Sequence, residues 1–252
     1  MIEKIRDLTR IARPGAKDLL LAFDVIGGIG PLAADAVSAT PEDVGYFGAR
    51  VVMMELLSLG ATPVLLADLI TLSWGEGGER VVAGVQALLA EAGFPNVPVT
   101  GSAEENVSVA ATGAGFVGVG EVDPQGIRYG RARPGDRIYL IGRPKSAPAY
   151  SVRRGDLEIV RVRSFLDLMQ DDLVHEALPL GSGGLIRELG ELREQGLGAE
   201  LVEGIPAGIL DASGGPATAV LLVCAPAWRP NTVEAPLLQL GNLRSVPEDI
   251  RR

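Results

Sequence analysis

The chain is poor in the residues that most often build disulfides, metal clusters and polyanion-binding surfaces. Cys224 is its only cysteine in 252 residues, so an intrachain disulfide and a thiolate metal cluster are both excluded. Arginine carries nearly all of the positive charge, and only three lysines are present. A net charge of −9 at pH 7 leaves no basic stripe for a phosphate backbone. We therefore expect no nucleic-acid partner.

Targeting and membrane-spanning segments are also lacking. The first ten residues, MIEKIRDLTR, carry charges where a signal peptide needs an apolar core, and no apolar run reaches membrane-spanning length. We expect a cytoplasmic protein with no membrane partner. A Pro-Gly-Asp turn at 134–136 separates two halves of similar size. This break predicts two domains, residues 1–133 and 134–252.

Apolar patterns predict an alternation of strands and helices in both halves, and therefore an α/β (α+β) fold. Aliphatic and β-branched runs predict strands over 19–23, 61–72, 97–102, 107–122, 137–144 and 199–204. Helical patterns predict helices over 41–60, 76–94, 164–177 and 184–196. The clearest is 41–60, because acidic residues occupy its first turn and Gly60 stands at its end.

The first predicted strand runs into three glycines, in the stretch LLLAFDVIGGIGP. Gly27, Gly28 and Gly30 do not have the spacing of a dinucleotide fingerprint, and no Gly-Lys-Ser/Thr occurs anywhere. One interpretation is that the bare backbone passes close to a phosphate or to a partner chain. The alternative is a tight turn after a strand.

Five carboxylates stand at strand ends, in apolar runs or in one turn of the first half. Asp24 ends the first strand, Glu55 sits in an apolar helix, Asp68 lies inside VLLADLI, and Glu104 and Glu105 follow a turn. Carboxylates in apolar surroundings are costly unless they are paired, protonated or bound to a cation. If they converge, they suit Mg²⁺ and a polyphosphate. The alternatives are a solvent-reaching Glu55, a capping or arginine-paired Asp68, and ordinary turn residues at 104–105.

Residues 23–63 resemble the N-terminal core of the aminoimidazole-ribonucleotide synthetase (AIR synthase) superfamily. That superfamily includes thiamine-monophosphate kinase, selenophosphate synthetase and a hydrogenase maturation ATPase. Asp24 matches its strand aspartate, Gly48 its helix-entry glycine, and Gly60 with Pro63 its helix stop. Glu55 stands where the family has the aspartate of a Ser-Asp pair. The segment TGSAEEN is similar to the family's Gly-Gly-Asp/Glu-Thr turn, with Ala103 at the usual acidic position.

The resemblance implies a two-domain AIR synthase-like fold, with an N-terminal mixed sheet and helices and a C-terminal α/β domain. It also implies a homodimer that binds ATP and Mg²⁺ and acts on a small-molecule acceptor. Carried over to this chain, the metal ligands are Asp24, Glu55, Glu104 and Glu105. Asp68 is a candidate base or a further metal ligand. Apart from the resemblance, the lone histidine, His175, is a candidate base by residue type, and the alternative is a structural histidine. The candidate nucleotide contacts are Asp7, Gly27, Gly28, Gly30, Arg50, Gly101 and Ser102. Arg50, on the same helix as Glu55, either reaches a phosphate or neutralises a carboxylate.

Within the superfamily, six short segments resemble the α-ribazole kinase-like branch, which serves salvage of the cobalamin lower ligand. They are IRDLT, GGIGP, VGYF-ARV, TGS-EEN, VHE-LP-GS-G and GPAT. The resemblance therefore implies α-ribazole as the acceptor. The family's glycine-rich Gly-Asp-Asp segment is missing, and Asp7 is its single counterpart. Two alternatives stay open: an ATP-dependent ligase related to AIR synthase, and a catalytically silent nucleotide-binding homodimer.

Overall fold

The computed structural model describes residues 1–206, 208–230 and 234–247. The chain forms two compact units, Met1–Ile127 and Arg128–Arg252. Each unit combines strands with helices, so the predicted α+β class is confirmed. No helix in the described part of the chain is long and apolar enough to cross a membrane.

The first unit is built on a six-stranded sheet with the strand order β1-β2-β3-β8-β6-β7. A helical turn, Trp74–Gly78, leads into its second helix. The elements are β1 (Ile2–Ile5), β2 (Leu8–Ile11), β3 (Asp18–Gly27), β4 (Ile29–Gly30), β5 (Val37–Ser38), α1 (Pro41–Ser58), β6 (Thr62–Ile70), α2 (Glu79–Ala92), β7 (Val99–Ala103) and β8 (Gly113–Val122). Both β3 and β6 run antiparallel to β8, and β6 is parallel to β7. The C-terminal ends of β3, β6 and β7 therefore lie at one edge of the sheet.

Helix α1 begins and ends where the sequence predicts. The Thr40 hydroxyl accepts a hydrogen bond from the Asp43 N–H at 3.1 Å, and Pro41 occupies the first helical position. Gly60 follows the helix with a φ of +79°, a conformation that only glycine adopts without strain. These local signals explain why this helix is predictable from the sequence.

Glycines let α1 lie close to both the sheet and α2. A Cβ at Gly48 would lie 2.0 Å from the Phe116 ring on β8, so the helix axis sits directly over that strand. A Cβ at Gly45 would lie 1.9 Å from the Val81 carbonyl oxygen of α2. The inner face of the sheet is therefore covered by α1, whereas the opposite face carries exposed apolar side chains.

The second unit contains an antiparallel sheet with the strand order β10-β12-β9-β13-β11. Its elements are β9 (Arg137–Ile141), α3 (Val162–Leu168), β10 (Val174–Pro179), α4 (Gly184–Glu194), β11 (Leu197–Leu201), β12 (Val220–Cys224) and β13 (Leu237–Ser245). All residues of β12 are buried, including Cys224, and burial raises the pKa of that thiol. An inert cysteine at this place agrees with its position in the apolar run AVLLVCAP.

Two sequence-based element predictions are wrong in part. The predicted helix over 164–177 stops at Leu168, and Val174–Pro179 is strand β10. The reason is tertiary, because this segment pairs with β12 in the buried sheet. The predicted strand over 107–122 begins only at Gly113, and the N–H of the preceding Thr112 donates to the Asp35 carboxylate at 2.7 Å instead of to a neighbouring strand.

Candidate functional site

The sheet register places two of the predicted carboxylates on opposite sides of one aromatic ring. Asp24 on β3 and Asp68 on β6 are both paired with Phe116 on β8, and Asp68 is also level with Gly101 on β7. Directly paired residues point to the same face of a sheet, here the face under α1. The Cα atoms of Asp24 and Asp68 are therefore separated by two strand spacings, about 10 Å.

Asp68 is the most unusual of the predicted site residues. It is only 3% exposed, and its Oδ2 has no hydrogen-bond partner in the described part of the chain. Burial raises its pKa to about 6. A Cβ at Gly101 would lie 2.3 Å from its Oδ1, so the missing side chain at this edge strand makes room for the carboxylate.

Asp24 shares the raised pKa but is less deeply buried. Burial raises the pKa of its carboxyl to about 6, against the opposing effect of a hydrogen bond from the Val25 N–H. A carboxyl group with a pKa near 6 is ionised at neutral pH yet more basic than usual. Such a group is suited to accept a proton from a bound molecule.

Glu104 and Glu105, predicted as metal ligands, lie in the loop after β7 and accept backbone hydrogen bonds. The Glu104 carboxylate accepts the N–H groups of Asn106 and Val107 at 2.6 and 3.2 Å, which lowers its pKa. Glu105 accepts the Trp74 N–H at 2.7 Å. Backbone donors in the surrounding loops therefore hold one oxygen of each carboxylate.

Glu55 is also separated from Asp24. It lies seven residues after Gly48 on α1, which is about 10 Å further along the helix from the Phe116 ring. Within residues 1–206, 208–230 and 234–247, no three histidine, cysteine or acidic side chains are close enough to hold a metal ion. The predicted magnesium site of Asp24, Glu55, Glu104 and Glu105 is therefore not assembled, and these residues do not fit that ion.

Arg50 is 1% exposed and faces α2, which contradicts its predicted contact with a nucleotide. Burial lowers its pKa to about 10, while the nearby Tyr46 and Glu91 partly restore it. The Tyr46 hydroxyl donates to Glu91 at 2.7 Å and so links α1 to α2 beside this guanidinium. The helical spacing from Tyr46 to Arg50 directs both side chains to the helix interface.

The glycine stretch is shaped mainly by packing. A Cβ at Gly30 would lie 2.2 Å from the Thr112 hydroxyl, which in turn donates to Asp35 at 2.7 Å. Gly28 has a φ of +67°. Both observations support the turn interpretation of this stretch. Gly27 is exposed and has no atom within 4 Å of its would-be Cβ, so it alone offers bare backbone to a ligand.

The remaining predicted nucleotide contacts fall at different places. Asp7 lies in the turn between β1 and β2, and the pairing of Thr9 with Leu21 carries this turn towards the Asp24 end of β3. Ser102 is paired with Leu69 and so points to the face opposite Asp68. Of these residues, only Gly101 lies level with the Asp24–Asp68 row.

His175 has a partner that sequence reasoning missed. Its Nδ1 lies 2.7 Å from the Asp136 Oδ2, and Asp136 is buried and also accepts the Arg133 N–H at 2.7 Å. His175 stands at an irregularity in the pairing of β10, a feature that re-aims side chains. A carboxylate that holds one ring nitrogen leaves the other to exchange protons. The Pro-Gly-Asp sequence signalled only a turn at Asp136.

No family model and no curated protein matches this chain. Solved structures do resemble it. Thiamine monophosphate kinase from Aquifex aeolicus is 18% identical with a TM-score of 0.65, over 97% of this chain and 90% of that one. AaThiL complexed with AMPPCP and TMP is 17% identical, with a TM-score of 0.66 over 95% and 84% of the two chains.

Two further solved structures that resemble this chain are not thiamine monophosphate kinases. Hydrogenase maturation protein HypE in complex with ATP is 17% identical with a TM-score of 0.65, over 97% of this chain and 81% of that one. Phosphoribosylformylglycinamidine synthase II from Thermotoga maritima is 17% identical with a TM-score of 0.58, and the match spans 97% of this chain but 42% of the synthase. At these identities the likeness shows the fold alone. It confirms the predicted AIR synthase-like fold.

Proposed function

We propose that this protein is an ATP-dependent phosphotransferase that acts on a small-molecule acceptor. The observation that carries the proposal is Asp68, a buried carboxylate with an unpartnered oxygen and a pKa raised to about 6. The fold supports ATP as the phosphoryl donor, because solved structures that share this fold hold ATP or AMPPCP. Kinases that share the fold support phosphoryl transfer rather than another use of ATP.

In the proposed reaction, Asp68 accepts the proton of an acceptor hydroxyl. The hydroxyl oxygen then forms a bond to the γ-phosphorus of ATP, and the bond from that phosphorus to the β–γ bridging oxygen breaks, leaving ADP. Gly101 has no side chain, so nothing of this residue covers the Oδ1 atom of Asp68. Asp24, on the other side of Phe116, accepts a hydrogen bond from the acceptor and orients it. No step is assigned to magnesium, because the predicted ligands do not converge.

We propose α-ribazole as the preferred acceptor, in salvage of the cobalamin lower ligand. The support is the resemblance of six short segments to the α-ribazole kinase-like branch. Two of them, GGIGP and TGS-EEN, surround the Asp24–Asp68 row in the sheet.

We also propose that the protein is a homodimer formed by the outer face of the first sheet. This outer face consists of Leu21, Phe23 and Val25 on β3, Val117 and Val119 on β8, and Leu65 and Leu69 on β6. Phe23 is 54% and Val25 79% exposed in the single chain. A contiguous apolar face of this kind is typical of an interaction surface. Sedimentation of Phe23→Glu tests it: a monomer is expected, whereas Leu157→Glu, at an exposed site in the second unit, keeps the dimer.

One observation favours a second candidate, a catalytically silent nucleotide-binding homodimer. The acidic groups of the described residues do not assemble into a metal site, although phosphoryl transfer usually relies on one. A protein with this fold and without that site retains the means to bind a nucleotide but has lost an aid to catalysis.

A transfer assay separates these candidates. Labelled ATP is incubated with the protein and α-ribazole, thiamine monophosphate or formylglycinamidine ribonucleotide, and ATP binding is measured in parallel by calorimetry. Phosphorylated α-ribazole is the expected product. Turnover of formylglycinamidine ribonucleotide instead supports the ligase alternative. Binding of ATP without any product supports the silent homodimer, and the absence of ATP binding overturns both proposals.

A further inference from the structure

Phe116 is the only aromatic residue of β8, and it stands on a face that is otherwise built from small residues. The buried positions of this strand are Ala114, Phe116, Gly118, Gly120 and Val122. Small residues suit this face because α1 lies directly over it. A Cβ at Gly118, for example, would lie 2.9 Å from Leu56 of the helix. A phenylalanine ring fits here only if the helix provides space for it.

The space for this ring comes from Gly48 on α1. A Cβ at Gly48 would lie 2.0 Å from Cε2, 2.3 Å from Cδ2 and 2.6 Å from Cζ of Phe116. The ring therefore reaches from the sheet to the backbone of the helix, and a larger residue at Gly48 would displace it. Phe116 is only 2% exposed, so its ring is held in one place by close packing.

The same ring stands between the two carboxylates of the proposed site. Phe116 is directly paired with Asp24 on β3 and with Asp68 on β6. Side chains of directly paired residues are neighbours, with their Cβ atoms about 5 Å apart. If no side chain stood between the two carboxylates, a water molecule would have room to bind both. The Phe116 ring thus keeps the carboxylates apart and keeps water from bridging them.

Asp68 is enclosed by apolar side chains on three sides. Leu66 and Ile70, 2% and 4% exposed, flank it along the inner face of β6, and Phe116 flanks it across the sheet. On the fourth side, Gly101 contributes no side chain. Burial raises the pKa of Asp68 to about 6, as expected for a carboxylate with little water around it. Phe116 supplies the part of this enclosure that faces Asp24.

We infer that Phe116 is a positioning residue for the proposed phosphotransfer. Its ring, held by Gly48, separates Asp68 from Asp24, so that the acceptor hydroxyl meets one dry carboxylate while a second polar group of the acceptor meets the other. The preferred acceptor therefore carries two polar groups on either side of the width of one aromatic ring. This catalytic consequence rests on the proposed phosphotransfer, whereas the exclusion of water by the ring is a property of the protein alone.

The first test needs no substrate. Asp68→Asn places an amide where the carboxyl group stands, and NMR measures how fast the hydrogens of that amide exchange with water. In this background, Phe116→Leu is expected to speed the exchange roughly tenfold, because water enters where ring atoms are lost. Phe165→Leu makes the same change to a buried ring of the second unit and leaves the rate unchanged. If Phe116→Leu does not fold, Phe116→Met supplies the comparison. Equal rates with and without the change at Phe116 would overturn the inference.

The second test separates positioning from stability. Gly48→Ala pushes a methyl group into the ring and is expected to lower both the thermal unfolding midpoint and kcat. Phe116→Leu removes the Cε2 and Cζ atoms that this methyl group would meet, so the double variant Gly48→Ala/Phe116→Leu is expected to regain stability. Its kcat is expected to stay roughly 10- to 100-fold below that of wild type, with an unchanged Kd for ATP, because the ring is still missing.

A kcat that returns together with stability in the double variant would show that the ring is only structural, and would overturn the inference. If the wild-type protein transfers phosphate to none of the acceptors, the phosphotransfer proposal itself fails. The amide exchange of the Asp68→Asn variants then decides by itself whether Phe116 keeps water from this position.

Discussion

Two pairs of acidic residues lie near the same edge of the first sheet in opposite environments. Asp24 and Asp68 stand within strands, and burial raises the pKa of each to about 6. Glu104 and Glu105 stand in the turn after β7, where they accept backbone N–H groups. The sequence presents all four as candidate metal ligands. The comparison teaches that the proton affinity of a carboxylate is decided by its surroundings, since burial raises the pKa of Asp24 and Asp68 whereas backbone hydrogen bonds lower that of Glu104.

The largest expected effect is a difference in the rate of phosphoryl transfer between a variant of the buried pair and a variant of the turn pair. Asp68→Asn removes the proton acceptor with little change in shape and is expected to lower phosphoryl transfer roughly 10²- to 10⁴-fold. Glu104→Gln keeps an oxygen for its backbone donors and is expected to leave the rate almost unchanged. Steady-state transfer assays with matched ATP-binding measurements check both variants. Equal losses in the two variants would contradict the division.

The next effect concerns stability and pH. Asp68 has a usual pKa of 3.8 when unfolded and about 6 when folded, so the folded state binds more protons between these values and its stability falls as pH rises through that window. The ionised form then costs roughly 3 kcal/mol. Asp68→Asn is expected to be more stable than wild type at pH 7.5, with no gain at pH 3.5. Denaturant unfolding at the two pH values measures the difference, and a gain of the same size at both would rule out this cause.

A smaller effect tests the space around Asp68. Gly101→Ala places a Cβ 2.1 Å from the Asp68 carbonyl oxygen and 2.3 Å from its Oδ1, so both the backbone and the side chain of Asp68 have to shift away from it. The expected loss of stability is about 1–3 kcal/mol. The matched control is Gly27→Ala, because nothing lies within 4 Å of the added Cβ there. If the two variants unfold at the same denaturant concentration, Gly101 and Asp68 are not in contact in solution.

The smallest effect concerns the turn carboxylates. Glu105→Gln keeps an acceptor for the Trp74 N–H but loses the charge that strengthens this bond. We expect the thermal unfolding midpoint to fall by about 1–3 °C, without the pH dependence expected for Asp68→Asn. Calorimetric melting at pH 5 and pH 8 checks this. A large, pH-dependent change would place Glu105 with the reactive pair instead.

Local patterns were sufficient for much of the first unit. The strand at 19–23 and the helix from Pro41 follow from an apolar run, acidic residues in the first helical turn and a terminal glycine, all of which act over a few residues. The strand at Val174–Pro179 was not predictable in this way. Its period resembles a helix, and it becomes a strand because it pairs with β12, about fifty residues later in the chain.

The candidate site was predictable only in part, for a similar reason. Asp24 and Asp68 stood out because a carboxylate in an apolar run is costly wherever the run is buried. Trp74 is 31 residues from Glu105 and Asp136 is 39 residues from His175, and no local pattern encodes these two pairs.

By itself, the sequence determined the helices and strands with strong local signals, the presence of apolar-embedded acids, and the likeness to a known fold. These depend on side-chain periodicity and capping, which act within one element. The tertiary structure alone decided which carboxylates keep a free oxygen, because that depends on donors from distant segments. It also decided that Asp24 and Asp68 lie level across Phe116, since strand register is set when the whole sheet assembles.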